Sequence, residues 1–596
     1  ALAMEPLACR LRVLGTSHGI AVGHYTHAVS LYADDVLIFL RDTRTGLPPL
    51  LEVLSVFQNL SGLKLNHGKS SVFPLHPQTD AYIPEYTSTN IPMTRTTFRY
   101  LGVQIYRTPA MTREGNLGRI MTGLKNSAIF WGRLPLSPMG RLALTKMIAL
   151  PRLLYHFATT PYPVPKSFFK ELRTWLADFI WGANRHRAAL KTLYLPLTEG
   201  GLAAPDYEAY YLASQLQWLM PWIATPPNTE VRFLWPSSDR TQIITSLFSP
   251  GKRGQTTPLL LRTLRHCWLQ HTRRQAKRTD YAPDLPIWAL PPLSSLGRRI
   301  NKTAWLTASI TTLGQLYEGD TLLTFEELRD RYNLHEGQFL THAAIMASIH
   351  SQWGPTDSEP RQDHTLQTLL TWSSKKHRIT NLYRAITLPE TPTLPRLKLT
   401  WEADLQIQLT DRDWSNILQH IPRISRNARL KYLQFNYTHR TYMTPVRLHK
   451  IFPTISPACL RCGDENADFY HSVWKCPVLM IFWTAVCSHL TSITGKTHLL
   501  TPRACLLGLY PRPKGSKAYS KLIDLALALA KRSIAMSWRS RTAPSFTEWK
   551  CLLRQWALLE DGALRRHRSR GDRSSFIFAW DALILALEPH SDDKPP

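Results

Sequence analysis

Two adjacent carboxylates stand between two short apolar runs near the start of the sequence. Asp34 and Asp35 lie within residues 27–40, and β-favouring apolar residues flank them on both sides. This pattern predicts two strands joined by a tight turn that carries the acids. Neighbouring carboxylates repel each other and are costly to desolvate, and a bound Mg²⁺ relieves both costs. Nucleotidyl transfer on two metal ions about 3.5–4 Å apart requires such carboxylates, although a solvated Asp-Asp turn is the alternative for so short a motif.

A cysteine and histidine array further along the chain has the spacing of a metal site. Two residues separate Cys459 from Cys462, and His471 and Cys476 follow after gaps of eight and four residues. The first step, with Gly463 behind it, predicts a turn that lets two thiolates face one ion, and the other two ligands complete a tetrahedral shell. Four such ligands without an open position predict structural rather than catalytic Zn²⁺. Buried free cysteines beside a core histidine are the alternative.

The carboxylate turn needs a framework, and the neighbouring residues predict one. Residues 1–12 have helix-like apolar spacing, and residues 13–40 are expected to hold the strand pair. Pro48 and Pro49 suit the start of a second helix, which Gly62 would end as a C-cap. This amphipathic helix is expected to pack under the sheet.

Three more stretches follow this helix. The segment around Lys69 is predicted to be extended, and residues 76–97 are rich in Pro, Thr and Ser, which indicates a loop. Residues 98–105 predict the next strand region, in which Gly102 permits a close backbone approach.

In this order the stretches resemble motifs C, D and E of a reverse transcriptase palm. The matching residues are Asp34-Asp35 in the strand-turn-strand, Gly62-Leu63-Lys64-Leu65-Asn66 after the helix, and Tyr100-Leu101-Gly102-Val103. The family that the chain resembles is the polymerase of non-LTR (LINE-type) retrotransposons. The Cys-Cys-His-Cys array is similar to the C-terminal element of the same polyproteins and follows the polymerase at about the same distance.

The resemblance implies a role for each matching residue. Asp34 would hold catalytic Mg²⁺ with Asp35 beside it, and Lys69 would lie near the incoming triphosphate. The turn with Tyr100 and Gly102 would grip the primer strand. The alternatives are an exposed lysine at a strand end and an ordinary tight strand pair.

The same resemblance predicts that the sequence is the C-terminal fragment of a longer polyprotein. The sequence begins with Ala, and its first helix corresponds to the one that directly follows motif B in the family. Motif A, which supplies another metal-binding Asp, is therefore expected to lie upstream. We expect the fragment alone to be inactive for that reason.

We expect an α+β fold in five regions. They are a partial reverse transcriptase palm with an antiparallel sheet and helices at 1–108, a helical thumb at 109–224, a mostly helical linker at 225–422, a basic segment with the zinc-knuckle-like element at 423–500, and a helical C-terminal region with a basic run at 501–596. Within the last region, residues 522–531 predict a buried helix.

The sequence is strongly basic. Lysine and arginine outnumber the acidic residues by 72 to 43, which gives a net charge of +29 and a pI near 9.9. Such a balance indicates a polyanionic partner, most simply nucleic acid. Candidate contacts to a nucleic acid backbone are Arg141 and Lys146 in the thumb and Arg461 beside the zinc array.

A basic stretch in the linker also suits nucleic acid. It has Trp268 inside it, and its basic residues are Arg262, Arg265, Arg273, Arg274, Lys277 and Arg278. Charge with an interleaved aromatic residue favours backbone contact plus base stacking. A solvated helix face is the alternative.

Composition limits the remaining classes. The sequence contains no run of about 18 apolar residues, so no transmembrane span is predicted. No signal peptide is recognised. The scattered cysteines do not suit the disulfide framework of a secreted protein. By resemblance the partners are an RNA template, a DNA primer or target and deoxynucleoside triphosphates, in a ribonucleoprotein of the nucleus and cytoplasm.

Three functions are open at this point. The first is RNA-directed DNA polymerisation by two-metal nucleotidyl transfer to the 3′-hydroxyl of a DNA primer. The second is that of a non-catalytic, nucleic-acid-binding remnant of a retroelement. The third is that of a helical scaffold with a zinc staple, whose basic surface binds acidic proteins.

Overall fold

A computed structural model describes most of the chain. The described residues are 2–22, 25–75, 91–182, 186–224, 259–276, 287–289, 302–319, 321–353, 377–387, 393–495, 499–512, 517–566 and 574–587. They form two compact units, each assembled from separate segments. The N-terminal unit comprises Ala1–Gly123, Arg152–Phe168 and Tyr207–Leu388, and the C-terminal unit comprises Leu124–Pro151, Phe169–Asp206 and Pro389–Pro596.

Helices predominate in both units, and the described strands form four antiparallel pairs of two strands each. The predicted α+β class is therefore confirmed in its general form. The strands are β1 Ile20–Val22, β2 Tyr25–His27, β3 Val29–Tyr32, β4 Asp35–Ile38, β5 Thr97–Tyr100, β6 Val103–Tyr106, β7 Tyr317–Glu318 and β8 Thr321–Leu322.

The α-helices follow in chain order. They are α1 Glu5–His18, α2 Thr43–Ser61, α3 Pro109–Gly132, α4 Pro138–Leu144, α5 Leu150–Thr159, α6 Lys166–Trp181, α7 Leu190–Tyr194, α8 Tyr207–Ala224, α9 Leu259–Ala276, α10 Thr303–Thr307, α11 Phe325–Tyr332, α12 Phe339–Trp353, α13 Arg378–Ile386, α14 Pro395–Leu405, α15 Asp411–Arg423, α16 Ala428–Thr438, α17 Pro445–Ile451, α18 Pro477–Thr494, α19 Pro502–Leu507, α20 Lys517–Met536, α21 Phe546–Arg566 and α22 Ser574–Leu585. Two π-helical turns, Thr145–Ala149 and His471–Lys475, interrupt this series.

The carboxylates lie on the hairpin of β3 and β4. Tyr32 pairs with Asp35, so Ala33 and Asp34 form a two-residue turn. Ala33 has a φ of +56°, a conformation that is strained for any residue with a Cβ atom. The predicted strand pair is confirmed here.

The helix ahead of this hairpin is longer than predicted. α1 runs to His18, and an additional pair of strands, β1 and β2, occupies residues 20–27. Gly15 permits this extension, because a Cβ atom there would lie 2.0 Å from the Cβ of Ala28. The backbone of α1 therefore packs directly against the chain that enters β3.

The second helix begins earlier than the sequence predicted. α2 starts at Thr43, where the Asp42 side chain accepts a hydrogen bond from the N–H of Arg44 at 3.0 Å, so the start predicted at Pro48 and Pro49 is wrong. The N-cap at Asp42 supplies the acceptor that the free N–H groups of the first turn require. Gly62 ends the helix with a φ of +73°, which confirms the predicted C-cap.

A small core joins these elements. Leu7 and Leu11 of α1 pack with Leu47 and Leu50 of α2, and apolar residues of the β3–β4 hairpin cover them. The prediction that α2 packs under the strands is confirmed.

The second hairpin, β5–β6, matches the strand region predicted at 98–105. Leu101 and Gly102 form its turn with φ values of +44° and +81°. Two positive φ angles in succession are typical of the type I′ turn, whose twist suits a two-residue hairpin. The Tyr155 hydroxyl of α5 donates a hydrogen bond to the carbonyl of Leu101 and so braces the turn.

The C-terminal unit has a large core rich in tryptophan. Trp401, Trp414, Trp483, Trp549 and Trp580 are all at most 2% exposed. The middle of α20 is buried throughout, which confirms the buried helix predicted at 522–531.

One described helix, α18, is long and apolar enough to span a membrane, with a mean hydropathy of 1.4. The sequence shows no continuous apolar run of that length, so α18 is apolar enough only in its mean hydropathy. Leu479, Phe482, Trp483 and Leu490 are buried in the core of the C-terminal unit. The C-terminal unit thus buries 39% of this helix.

Candidate functional site

The structure brings together the four side chains of the predicted metal array. The ligand atoms of Cys459, Cys462, His471 and Cys476 all lie within 4.8 Å of one another. The Sγ atoms of Cys459 and Cys476 are 3.9 Å apart, and the Sγ of Cys462 lies 3.3 Å from the Nε2 of His471. Zn–S bonds of about 2.3 Å in tetrahedral geometry place two thiolates about 3.8 Å apart. The cluster can therefore hold a metal ion such as zinc.

A tight turn of the backbone presents the first two cysteines. The N–H of Cys459 donates to the carbonyl of Asp464 at 2.7 Å, and the N–H of Gly463 donates to the carbonyl of Cys459 at 2.9 Å. Gly463 has a φ of +80°, which the turn requires. The sequence prediction of a glycine-dependent turn between two thiolates is confirmed.

The His471 ring has a defined orientation. Its Nε2 faces Cys462, while its Nδ1 lies 3.6 Å from a carboxylate oxygen of Asp464. The backbone N–H of His471 donates to the side chain of Asp468 at 2.7 Å. A carboxylate near the far nitrogen favours a proton on that nitrogen and so leaves the other nitrogen free to bind a metal ion. Sequence reasoning missed Asp464, although its position two residues after Cys462 was a usable signal.

The thiols of the cluster differ in acidity. Burial raises the pKa of the Cys459 thiol, but hydrogen bonds from the N–H groups of Cys462 and Arg461 and from the side chains of His471 and Cys462 together outweigh burial and lower this pKa to about 7. Burial raises the pKa of Cys476 to about 11, despite N–H donors at the start of α18. A cation placed between the two sulfurs stabilises both as thiolates.

Arg461 braces the cysteine turn. Its guanidinium donates to the carbonyl of Ser537 at 2.8 Å and to that of Ser472 at 3.5 Å. The residue singled out as a nucleic-acid contact thus ties the metal cluster to the end of α20. Contact with nucleic acid stays a prediction for this side chain.

The carboxylate pair stands at an exposed hairpin tip. Asp34 and Asp35 are exposed, and the Tyr32 side chain beside them is 65% exposed. In the described part of the chain, the Cys/His cluster is the one group of three or more suitable side chains close enough to share a metal ion. Within those ranges, the aspartate pair therefore has no third ligand.

The β5–β6 hairpin lies within electrostatic range of this pair. Burial, and second the charge of Asp35, raise the pKa of the Tyr100 hydroxyl. A Cβ atom on Gly102 would lie 3.5 Å from the Tyr155 ring, which is therefore the close neighbour of this glycine within the chain. The structure thus brings Tyr100 within reach of the Asp35 charge, although 64 residues separate them in the sequence.

Lys69 is separate from this arrangement. Its backbone N–H donates to the side-chain oxygen of Asn66 at 3.1 Å, and its side chain is exposed. Among the described residues, its ammonium group contacts neither Asp34 nor Asp35. A role near a triphosphate stays a prediction.

Arg141 and Lys146 are less accessible than their sequence context indicated. The Arg141 guanidinium donates to the carbonyl of Phe179 at 3.1 Å and lies against Gly182, so it braces the end of α6. Lys146 is half-buried in the π-helical turn, and burial lowers its pKa.

The structure describes only part of the basic stretch around Trp268. Arg273 and Arg274 belong to α9, and their side chains lie outside the described residues. Trp268 on the same helix is fully buried. The expectation that Trp268 stacks on bases is wrong, because its ring belongs to the packed interior.

No protein-family model matches this sequence.

Proposed function

We propose that this chain is the C-terminal part of an RNA-directed DNA polymerase of the non-LTR retrotransposon type, with a finer architecture of partial palm, thumb, linker and zinc element. The observation that carries the proposal is the exposed Asp34-Asp35 pair at the tip of the β3–β4 hairpin, where the charge of Asp35 acts on Tyr100 of a second hairpin. The order of these hairpins around α2 supports the comparison with the family's motifs.

The two aspartates fit part of a magnesium shell. Mg²⁺ is usually bound through one or two carboxylates plus substrate phosphates. Asp34 and Asp35 would supply the carboxylates of such a site. When bound, Mg²⁺ neutralises the triphosphate and lowers the pKa of the attacking hydroxyl. The exposed position of both acids leaves room for a primer end and a nucleotide at the hairpin tip.

The Cys-Cys-His-Cys cluster has a different role in the proposal. All four ligand positions come from the protein, so the ion would be zinc in a structural site. Its function would be to hold a basic segment in shape for contact with RNA or DNA.

A second candidate is nucleic-acid binding without catalysis. Its specific support is the lack of a third ligand near Asp34 and Asp35 among the residues that the structure describes. Under the first proposal, that ligand comes from an upstream motif A. Under the second, the aspartate pair is a relic and the net charge of +29 carries the function.

Primer extension on an RNA template with Mg²⁺ separates these candidates. We would compare the chain, a version extended upstream through motifs A and B, and the Asp34→Asn variant of each. Asp330→Asn, which alters an exposed aspartate of α11, is the matched control. Binding of an RNA–DNA duplex is measured for every protein.

Each outcome assigns the function. The polymerase is supported if the longer protein extends the primer, Asp34→Asn abolishes this extension and Asp330→Asn preserves it. Duplex binding without extension by any form leaves the binding function alone. Extension that survives Asp34→Asn contradicts the role given to this residue, and loss of all duplex binding contradicts both candidates.

A further inference from the structure

A basic cleft opens beside α6 in the C-terminal unit. It has a volume of about 560 Å³ that is open to solvent, and it is lined by residues of α6 and by the segment 186–190 that leads into α7. The polar and aromatic lining residues are Lys170, Arg173, Thr174, Trp181, His186 and Arg187. We call this feature the α6 cleft.

The helix presents its lining residues along one face. Positions 170, 173, 174, 177 and 181 follow each other at steps of three, one, three and four residues, which is one stripe of an α-helix. A helix rises about 1.5 Å per residue, so this stripe is about 16 Å long. The cleft is therefore elongated.

The charge of the cleft has one sign. Lys170 and Arg187 are exposed and Arg173 is half-buried, and none of the described residues that line the cleft is acidic. Two acids of α6 lie outside the lining but near it. Asp178 is 3.4 Å from His186, which lines the cleft, and Glu171 pairs with Lys125 at 2.7 Å. Three permanent cations thus line the same open space.

We propose that the α6 cleft binds the sugar–phosphate backbone of a single nucleic acid strand. Cations that are spaced along an open, elongated face match a chain of phosphates, whereas a single small anion is usually held by converging donors. The exposed Thr174 hydroxyl adds a neutral donor to a phosphate oxygen. This inference rests on the proposed nucleic-acid binding and names the surface that performs it.

The test uses the full chain and a labelled single-stranded RNA over a series of salt concentrations. The cleft variant combines Lys170→Gln, Arg173→Gln and Arg187→Gln. The control combines Arg396→Gln, Arg412→Gln and Arg541→Gln, which removes the same charge from exposed positions of the same unit. A double variant, Lys170→Gln with Arg187→Gln, alters only exposed side chains and remains informative if the triple variant folds poorly.

The expected result is a smaller salt dependence for the cleft variant. Each phosphate contact on a single strand contributes about −0.7 to the slope of log K against log salt, so loss of three contacts reduces the slope by about 2 and the double variant reduces it by about 1.4. Between 50 and 200 mM salt, the affinity ratio of wild type to triple variant should fall by about 20-fold. The control should follow the wild type.

Three results overturn the inference. If the cleft and control variants change equally, general charge rather than the cleft binds the strand. If the cleft variants lose affinity for free deoxynucleoside triphosphate but keep their affinity for RNA, the cleft is a nucleotide site. If the wild type binds no RNA at any salt concentration, the proposed nucleic-acid function itself fails.

Discussion

The two ring nitrogens of His471 face different groups: one faces the other ligand atoms of the cluster, and the other faces a carboxylate. Nε2 lies 3.3 Å from Cys462 Sγ, and Nδ1 lies 3.6 Å from Asp464. The same loop supplies both the ligand and the group that orients the imidazole. A side chain of this kind changes metal affinity without being a ligand itself.

Asp464→Asn tests this role at the scale of one atom. Asn keeps the acceptor for the N–H of Asn466 but removes the charge that faces His471. We expect zinc affinity to fall by about 10- to 100-fold, the usual cost of losing such a partner. Competition with a chromogenic chelator measures the affinity.

Glu465→Gln is the matched control, because Glu465 is exposed and its substitution removes the same charge from the neighbouring position. Equal losses for the two variants would mean that local charge, rather than orientation of the ring, governs metal affinity.

Lys531 is a charged residue at the centre of α20. It is fully buried, and its Nζ donates to the carbonyl of Leu506 at 3.3 Å. Burial lowers its pKa from an ordinary 10.5 to about 8, although Cys505 and Asp524 act in the opposite direction. The unfolded chain therefore holds this proton more tightly than the folded chain, and stability falls as the pH drops from 10.5 through 8.

Lys531→Met should stabilise the protein near pH 7. The gain is on the order of 3 kcal/mol at most, from a pKa lowered by about 2.5 and 1.36 kcal/mol per pKa unit. It should shrink as the pH rises from 8 past 10.5, because well above 10.5 the wild-type lysine is neutral in both states. Urea unfolding at several pH values measures the difference between the two proteins.

Lys517→Met, at the exposed start of the same helix, should show no such trend with pH. A destabilisation by Lys531→Met that is the same at every pH would show that the hydrogen bond to Leu506 outweighs the cost of burying the charge.

At the scale of elements, the cysteine turn is joined to the main core of its unit. Cys459 and Cys476 belong to the same buried cluster as Trp401 and Trp483. Cys476 also directly precedes Pro477, the first residue of α18. Metal binding therefore acts on the anchoring of a core helix as well as on a surface turn.

Removal of the metal should lower the thermal midpoint of the zinc-loaded protein. Chelation leaves two buried thiols and a buried imidazole without their ion, and the start of α18 loses its attachment. Cys476→Ser should have a low midpoint that no longer responds to chelator. Differential scanning calorimetry with and without chelator measures both.

Cys551→Ser is the control for this experiment, because Cys551 is exposed and lies outside the cluster. A midpoint that chelator leaves unchanged in the zinc-loaded wild type would contradict the structural role of the ion.

At the scale of the whole molecule, the C-terminal unit is assembled from three segments. The side chain of His439 lies 2.6 Å from the carbonyl of Gly200, and Thr393 donates to Glu199 at 2.8 Å. Leu418 contacts the backbone at Gly200, where a Cβ atom would lie 2.7 Å from it. Residues 169–206 therefore complete the surface against which α15 and α16 pack.

A fragment that begins at Pro389 should be less stable than the same unit within the full chain. Without residues 169–206, apolar groups of α15 become exposed and the partners of His439 and Thr393 are lost. Limited proteolysis at increasing temperature compares the two. Equal resistance of the fragment and the full chain would mean that the last 208 residues fold independently.

Some features of this protein are readable from its sequence because they depend on short-range chemistry. The ligand spacing from Cys459 to Cys476, the acid-bearing turn at Asp34 and the C-cap at Gly62 each follow from residues close together in the chain. The start of α2 was misplaced because two local signals competed, and the N-cap at Asp42 prevailed over the prolines.

Other features depend on which distant segments pack together, and sequence patterns do not contain that information. The burial of Trp268, the bracing role of Arg141 and the approach of Tyr100 to Asp35 all arise from contacts between separate elements. The α6 cleft likewise needs a helix and the segment after it to face one space. Residue types and spacing thus determined the candidate chemistry, whereas tertiary packing decided which charged and aromatic side chains remain available for a ligand.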